Sequence, residues 1–209
     1  MSKLREKPKT TMVSEMTKNE ILNLMNETWI YEAIITTTDA CGTIRAAPMG
    51  ISTPDSEHMV LEIYKTSKTA GNIIRDKKFT INFVMYVELF WNSIKEKNLE
   101  YDSFGHLKDS DAWLDAKVQE IESTGEKIKV YSKITVYGIK NPNFVLINRA
   151  KHLAFESMVL FTKPGDEAKN EINENLRVIK KVAPGSKYEK LVKEILKEIK
   201  NAREPMKNI

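Results

Sequence analysis

The chain has 209 residues and a mass of 24.0 kDa, long enough to bury a continuous core without disulfide or metal cross-links. Hydrophobic residues make up 41% and charged residues 30%, which excludes a wholly disordered chain, and the longest apolar run, Phe83 to Val87, is far too short to span a bilayer. The 33 basic and 29 acidic residues leave a net charge of +4, a small excess for a protein that wraps nucleic-acid phosphates.

Cys41 is the only cysteine, so no intramolecular disulfide forms, and His58, His106 and His152 lack the spacing of a zinc enzyme. The opening MSKLREKPKT has no apolar stretch of the secretory kind. The expectation from these features is a cytoplasmic protein with no metal site.

Residues 1–16 are polar and aperiodic and read as a loose arm. Thr17-Lys18-Asn19-Glu20 has the form of a capping box, and Ile21, Leu22, Leu24 and Met25 follow at helical spacing. The period then shortens. Tyr31–Thr38, rich in Ile and Thr, predicts a strand; Asp39-Ala40-Cys41-Gly42 predicts a turn, and Thr43–Ile51 a second strand that completes a hairpin. Met59–Tyr64 alternates as a third strand, a short helix is expected at Ala70–Arg75, and Phe79–Tyr86 reads as a fourth strand. Residues 92–116 are mixed, with Ser110 placed to cap a turn of helix holding Trp113 and Leu114. Lys117–Ser123 and Lys127–Ile139 add two strands, making six, enough for a small barrel. Past Asn141-Pro142 the pattern is helical. Asn148–Thr162 sets Ala150, Leu153, Ala154, Ser157, Met158 and Phe161 on one side, Glu167–Val182 follows, and Ser186-Lys187-Tyr188-Glu189 caps a last amphipathic helix. The expected organisation is an arm over 1–16, a barrel domain over 17–142 and a helical subdomain over 143–209.

Two segments carry chemistry. Tyr64-Lys65-Thr66-Ser67-Lys68-Thr69-Ala70-Gly71-Asn72 joins a strand to a helix, with hydroxyls and ammonium groups clustered where free amides and the helix dipole favour an anion. The same residues also suit a solvated connection in which Thr69 caps the helix. Arg45-Ala46-Ala47-Pro48-Met49-Gly50-Ile51 is strand-like, yet Pro48 removes a donor and Gly50 a side chain, which implies an edge, a bulge or close approach by a flat group.

In this order, followed by Thr80-Ile81-Asn82-Phe83, the segments resemble the FMN-binding split-barrel superfamily, which includes pyridoxamine-phosphate-oxidase-like and flavin-reductase-like proteins. The resemblance runs from about Trp29 to Thr162 and is nearest to a mainly archaeal branch that appends helices after the barrel. It implies FMN bound at a homodimer interface. Carried over by position, Thr66, Ser67, Lys68 and Thr69 would hold the phosphate, while Arg45, Pro48, Met49, Gly50 and Ile51 would border the ring or ribityl chain. Asn82 and Phe83 would complete that wall, and Asn72, Asn148 and Arg149 are further candidates. The Ser-Arg-Lys run of the oxidases is Ser67-Lys68-Thr69 here, and lysine lacks arginine's bidentate fork, which argues against oxidation of a pyridoxamine phosphate.

The function so implied is that of an FMN-dependent oxidoreductase or flavin reductase, with a nicotinamide or deazaflavin as electron donor. Alternatives are a non-catalytic FMN carrier or redox-responsive dimer, and a basic module that binds RNA or protein. No catalytic acid or base stands out. Cys41 has no neighbouring base, His106 suits a proton donor near a flavin but more commonly such a histidine is a surface or packing residue, and Trp29, Trp91 and Trp113 suit stacking on a ring but by default read as core aromatics.

Overall fold

The computed structural model of the chain describes residues 18–55, 57–163 and 165–203. The expected arm and Thr17 of the expected capping box lie outside them. Strands β1 (Tyr31–Thr38), β2 (Ile44–Ser52), β3 (His58–Tyr64), β4 (Lys78–Phe83), β5 (Ala112–Thr124) and β6 (Lys127–Ile139) close into a barrel in the order β1-β2-β3-β6-β5-β4, with every pair antiparallel. Helix α1 (Lys18–Asn23) precedes the barrel, α2 (Lys68–Asp76) and α3 (Val87–Lys95) interrupt it, and α4 (Ala150–Phe161), α5 (Asp166–Val182) and α6 (Lys187–Arg203) follow it. This is the six-stranded split barrel with trailing helices that the sequence predicts.

Alternation along the strands sends Ala33, Ile35, Ile51, Leu61, Ile81, Leu114 and Val130 into a shared core. Ala70 and Ile73 of α2 belong to the same cluster, so this helix packs onto the barrel core. The β1–β2 hairpin turns as its residues dictate. Gly42 takes φ 83°, and the Asp39 carboxylate accepts from the Cys41 and Thr43 amides, each at 2.9 Å.

Two expectations in the middle of the chain are corrected. The fourth strand ends at Phe83 rather than Tyr86, and α3 follows it. There the Asp111 carboxylate takes the Met85 amide at 2.8 Å while the Asp111 amide bonds to the Phe83 carbonyl, drawing the chain out of the sheet. Trp113 and Leu114 lie in β5, not in a helical turn. Trp113 is paired with Gly138 of β6, and its ring occupies the space that a Cβ on Gly138 would need. That seat is distant in sequence, so the local pattern around Ser110 does not reveal it.

The last three helices bury Ala150, Ala154, Leu160, Ile172, Ile179 and Val192 in a second cluster. The stripe expected on α4 is rotated: Ala150, Ala154, Ser157 and Leu160 face inward, whereas Met158 and Phe161 are exposed. Half of the Ser186 capping box forms: Ser186 Oγ accepts from the Glu189 amide at 3.1 Å, while the Glu189 carboxylate accepts from the amide of Gly185, one residue before the cap, at 2.8 Å. Asn148 ties the segment before β1 to the end of α5, its Nδ2 donating to the carbonyls of Ile30 (2.8 Å) and Val182 (2.9 Å). Among the described residues no helix is long and apolar enough to cross a membrane.

Candidate functional site

The barrel parts between β2 and β3. β2 pairs with β1 at every position from Ile44 to Ile51, but with β3 only at Ile51↔Leu61 and Ser52↔Val60. Beyond those two pairs β2 offers an edge of backbone donors and acceptors that β3 does not take up. The small-residue strand and the Lys/Thr/Ser connection that follows β3 thus lie on either side of this parting, here called the cleft. Pro48, which cannot serve as a ladder donor, suits this partly unpaired strand.

On the second bank Ser67 is the N-cap of α2. Its φ of −75° and ψ of 144° are extended, and its Oγ accepts from the Ala70 amide at 3.1 Å. The cap is thus Ser67 rather than Thr69, which is buried in the first turn. The first turn has no acidic residue, the Lys68 and Thr69 amides precede the first possible intrahelical acceptors, and the side chains of Thr66 and Lys68 are exposed. Positive potential and free donors coincide here. Tyr64 is exposed beside this connection, with Lys127 Nζ 5.0 Å from its ring centroid. Lys127 also pairs with Glu62 at 2.8 Å, and that hydrogen bond holds the Glu62 carboxyl below its ordinary value against the opposing effect of burial.

The other candidate residues are engaged in the fold. Arg45 bridges Asp39 (3.0 Å) and Glu96 (2.8 Å), tying the hairpin to the end of α3. Gly50 is close-packed by Ile30, whose Cγ2 stands 2.5 Å from where a Cβ would lie. Ile51 and Phe83 are in the barrel core, and Phe83 packs on Phe144. Asn72 is buried and donates to Thr37 Oγ1 at 3.0 Å. Asn82 is fully buried, donating to the Ile34 carbonyl and Thr36 Oγ1 and accepting the Leu107 amide at 2.9 Å. Arg149 pairs at 2.7 Å with Glu32, the residue across from Gly50. Of the sequence-predicted residues on either side of the parting, Arg45, Pro48, Met49, Thr66, Ser67 and Lys68 have side chains at least partly accessible, and Arg45 is engaged in its two ion pairs.

A second constellation was not singled out by the sequence. His106 is buried, with Nδ1 2.9 Å from Asp102 and Nε2 3.2 Å from Asp115. Asp115 also accepts from Thr80 Oγ1 at 2.6 Å. A cavity of about 350 Å³ opens over this side of the barrel, lined by Thr36, Thr80, Asp115 and Lys117 among others. The Asp-x-x-x-His spacing of Asp102 and His106 was the available signal, but Asp115 joins them only through the β4–β5 pairing.

The chain is similar to several solved structures. An FMN-bound DUF447 protein from Methanosarcina mazei is 22% identical, with a TM-score of 0.49 over 83% of this chain and 96% of that one. The flavin reductase of the styrene monooxygenase of Pseudomonas putida S12 is 9% identical, with a TM-score of 0.44 over 54% and 82%. An FMN-binding protein from Thermus thermophilus with bound 1-cyclohex-2-enone is 11% identical, with a TM-score of 0.45 over 67% and 80%. Residues 31–141, the whole barrel, match the family described as "Protein of unknown function (DUF447) N-terminal domain", and the chain belongs to the DUF447 family.

Proposed function

We propose that the chain is a flavoprotein that binds FMN in the cleft between β2 and β3 and acts as an oxidoreductase. The observation that supports this reading is the parted pair itself: β3 leaves the β2 edge over Ala46–Gly50 unpaired, and the connection after β3 runs through Thr66 into the Ser67 N-cap of α2 and Lys68. A flat heteroaromatic ring suits the first bank, where amides and carbonyls read its edge past small side chains. A phosphate suits the second, where the amides of α2 donate and Lys68 supplies charge.

FMN, when bound, supplies the hydride or electron chemistry. The chain's own residues bind and orient it. Ser67 fixes the start of α2 and hence the direction of its amides, and the Arg45 bridge holds the β1–β2 hairpin at one end of the cleft. Among the candidate contacts, Pro48, Met49, Thr66, Ser67 and Lys68 include no carboxylate or imidazole, so proton transfer is left to solvent or substrate.

We further propose that the working unit is a homodimer. Helix α4 is apolar on both sides: Ala154 and Leu160 face the helical core, while Phe155, Met158, Val159 and Phe161 are exposed. Such a helix calls for a second covering surface. Val87, Trp91 and Ile94 form a comparable exposed stripe on α3, which packs on β2 beside the cleft.

The test is titration of flavin-free protein with FMN, followed by flavin fluorescence, in the unaltered chain and in Lys68→Ala. The proposal expects saturable binding weakened at least about tenfold in the variant, the loss of a charge-assisted phosphate contact. Equal affinity in the two proteins would place the flavin elsewhere. A nicotinamide or deazaflavin donor is then assayed by bleaching of the bound flavin.

A further inference from the structure

We propose that the cavity on the outer face of β1, β4 and β5 is a second ligand site, for a nucleoside monophosphate. Its lining shares none of the residues proposed to hold the flavin, and it does not depend on the flavin reading.

The first observation is a row of like charges. Lys78 pairs across the sheet with Lys117, and Lys117 pairs with Lys133. Cations directly opposite one another on a sheet repel, and a sequence selected only for stability alternates their sign, as it does at Glu62↔Lys129. Among the described residues Lys77, Lys78, Lys117 and Lys133 form no ion pair; Asp76, beside Lys78, is engaged with Arg75. Lys77, in a left-handed conformation at the end of α2, adds its ammonium group to Lys78 and Lys117 at the cavity wall. An anion with two charges relieves this repulsion.

The second observation is Asp115, in the same cavity. A carboxylate amid lysines would ordinarily swing onto one of them. This one is held instead by Thr80 Oγ1 and by His106, itself buried and fixed on its other side by Asp102. Asp115 lines the cavity and its two oxygens have acceptor capacity beyond these bonds, which suits the paired hydroxyls of a ribose. The third is Phe104, whose side chain is among the most exposed large apolar groups, at 82%. One face of its ring lies over His106, with centroids 6.0 Å apart, and the ring lines the cavity mouth, a platform on which a base stacks. Phosphate on lysines, sugar on carboxylate and base on phenyl fit a cavity of about 350 Å³.

The experiment is calorimetric titration of the full chain with AMP, adenosine and inorganic phosphate. AMP is expected to bind saturably, and adenosine and phosphate each at least about tenfold more weakly, since each makes only part of the contact. Lys78→Ala/Lys117→Ala, Phe104→Ala and Asp115→Asn each weaken AMP by a similar factor, whereas Lys68→Ala, in the cleft, leaves it unchanged. Lys117→Ala should also raise the melting temperature of the ligand-free protein, because it relieves the row; a merely structural lysine would not. The lysine and phenylalanine variants alter exposed side chains, so they remain informative if Asp115→Asn fails to fold. Absence of saturable AMP binding into the millimolar range overturns the proposal. So does loss of AMP binding in Lys68→Ala with the cavity variants unaffected, and so does phosphate binding as tightly as AMP.

Discussion

His106 lies flat on Trp113, with ring centroids 3.6 Å apart and planes 12° from parallel, while Trp113 in turn covers Gly138. This three-layer stack fastens the excursion between β4 and β5 to the barrel wall. It explains a strand glycine that a sequence pattern would read only as a weak point. Gly138→Ala puts a methyl group within 2.6 Å of three indole atoms. Displacing the ring is expected to cost about 1–3 kcal/mol. Urea unfolding checks this: an unchanged midpoint would mean that the indole moves freely and that the stack is not a clamp.

The same clasp gives an acid dependence. Burial pushes the Asp102 carboxyl up, but the amides of His106 and Phe104 and the His106 ring together outweigh it and hold the group below its ordinary value of 3.8. A carboxyl depressed in the folded state contributes stability that is complete above its unfolded value. That contribution is lost as pH falls through the lowered folded value. Asp102→Asn is therefore expected to destabilise the protein at neutral pH and to flatten the fall in stability below about pH 4. Melting curves between neutral and strongly acidic pH read both effects.

Ser67 and Lys68 separate stability from binding. Ser67→Ala removes the N-cap acceptor of the Ala70 amide and is expected to cost about 0.5–2 kcal/mol, with flavin affinity also reduced. Lys68 is exposed and forms no ion pair among the described residues, so Lys68→Ala should leave the unfolding midpoint unchanged while weakening flavin. Chemical denaturation of flavin-free protein distinguishes the two substitutions.

Asn82→Leu tests the reading of that residue as a strut. It deletes donors to Ile34 and Thr36 and leaves the buried Leu107 amide without its acceptor. A loss of about 2–4 kcal/mol is expected. A folded, stable Asn82→Leu protein with normal melting but no flavin affinity would instead make Asn82 a cofactor contact.

The barrel was legible because its strands alternate and its turns carry Gly42 and Gly125, both at positive φ, between β-rich runs. Both banks of the cleft were legible for a similar reason, since Pro48, Gly50 and the hydroxyl cluster are local departures from strand composition. The parting between them was not. The short β2–β3 pairing is a matter of register, and register is visible only when both strands are in place. Helix α3 escaped because Val84–Tyr86 prolongs the apolar run of β4, and the break depends on Asp111, far along the chain. Ile51, Asn82 and Phe83 lie within the candidate motifs, yet their side chains are committed to core packing or internal hydrogen bonds, a distinction that burial makes and spacing does not. The row of Lys78, Lys117 and Lys133 draws one residue from each of three strands and has no signature in sequence.

Charged substitutions on α4 test the dimer. Phe155→Glu with Val159→Glu introduces two desolvated charges if that face is covered by a second copy, and the protein is expected to sediment as a monomer at micromolar concentration. If the unaltered chain is itself monomeric there, the second copy is not what covers α4.

The central claim is that the parted edge of the barrel holds a flavin. It is tested most directly by the visible absorption spectrum of the freshly purified protein, followed by denaturation and identification of whatever is released. The account predicts a yellow protein that releases FMN at close to one per chain. A colourless protein that also fails to take up added FMN would contradict it.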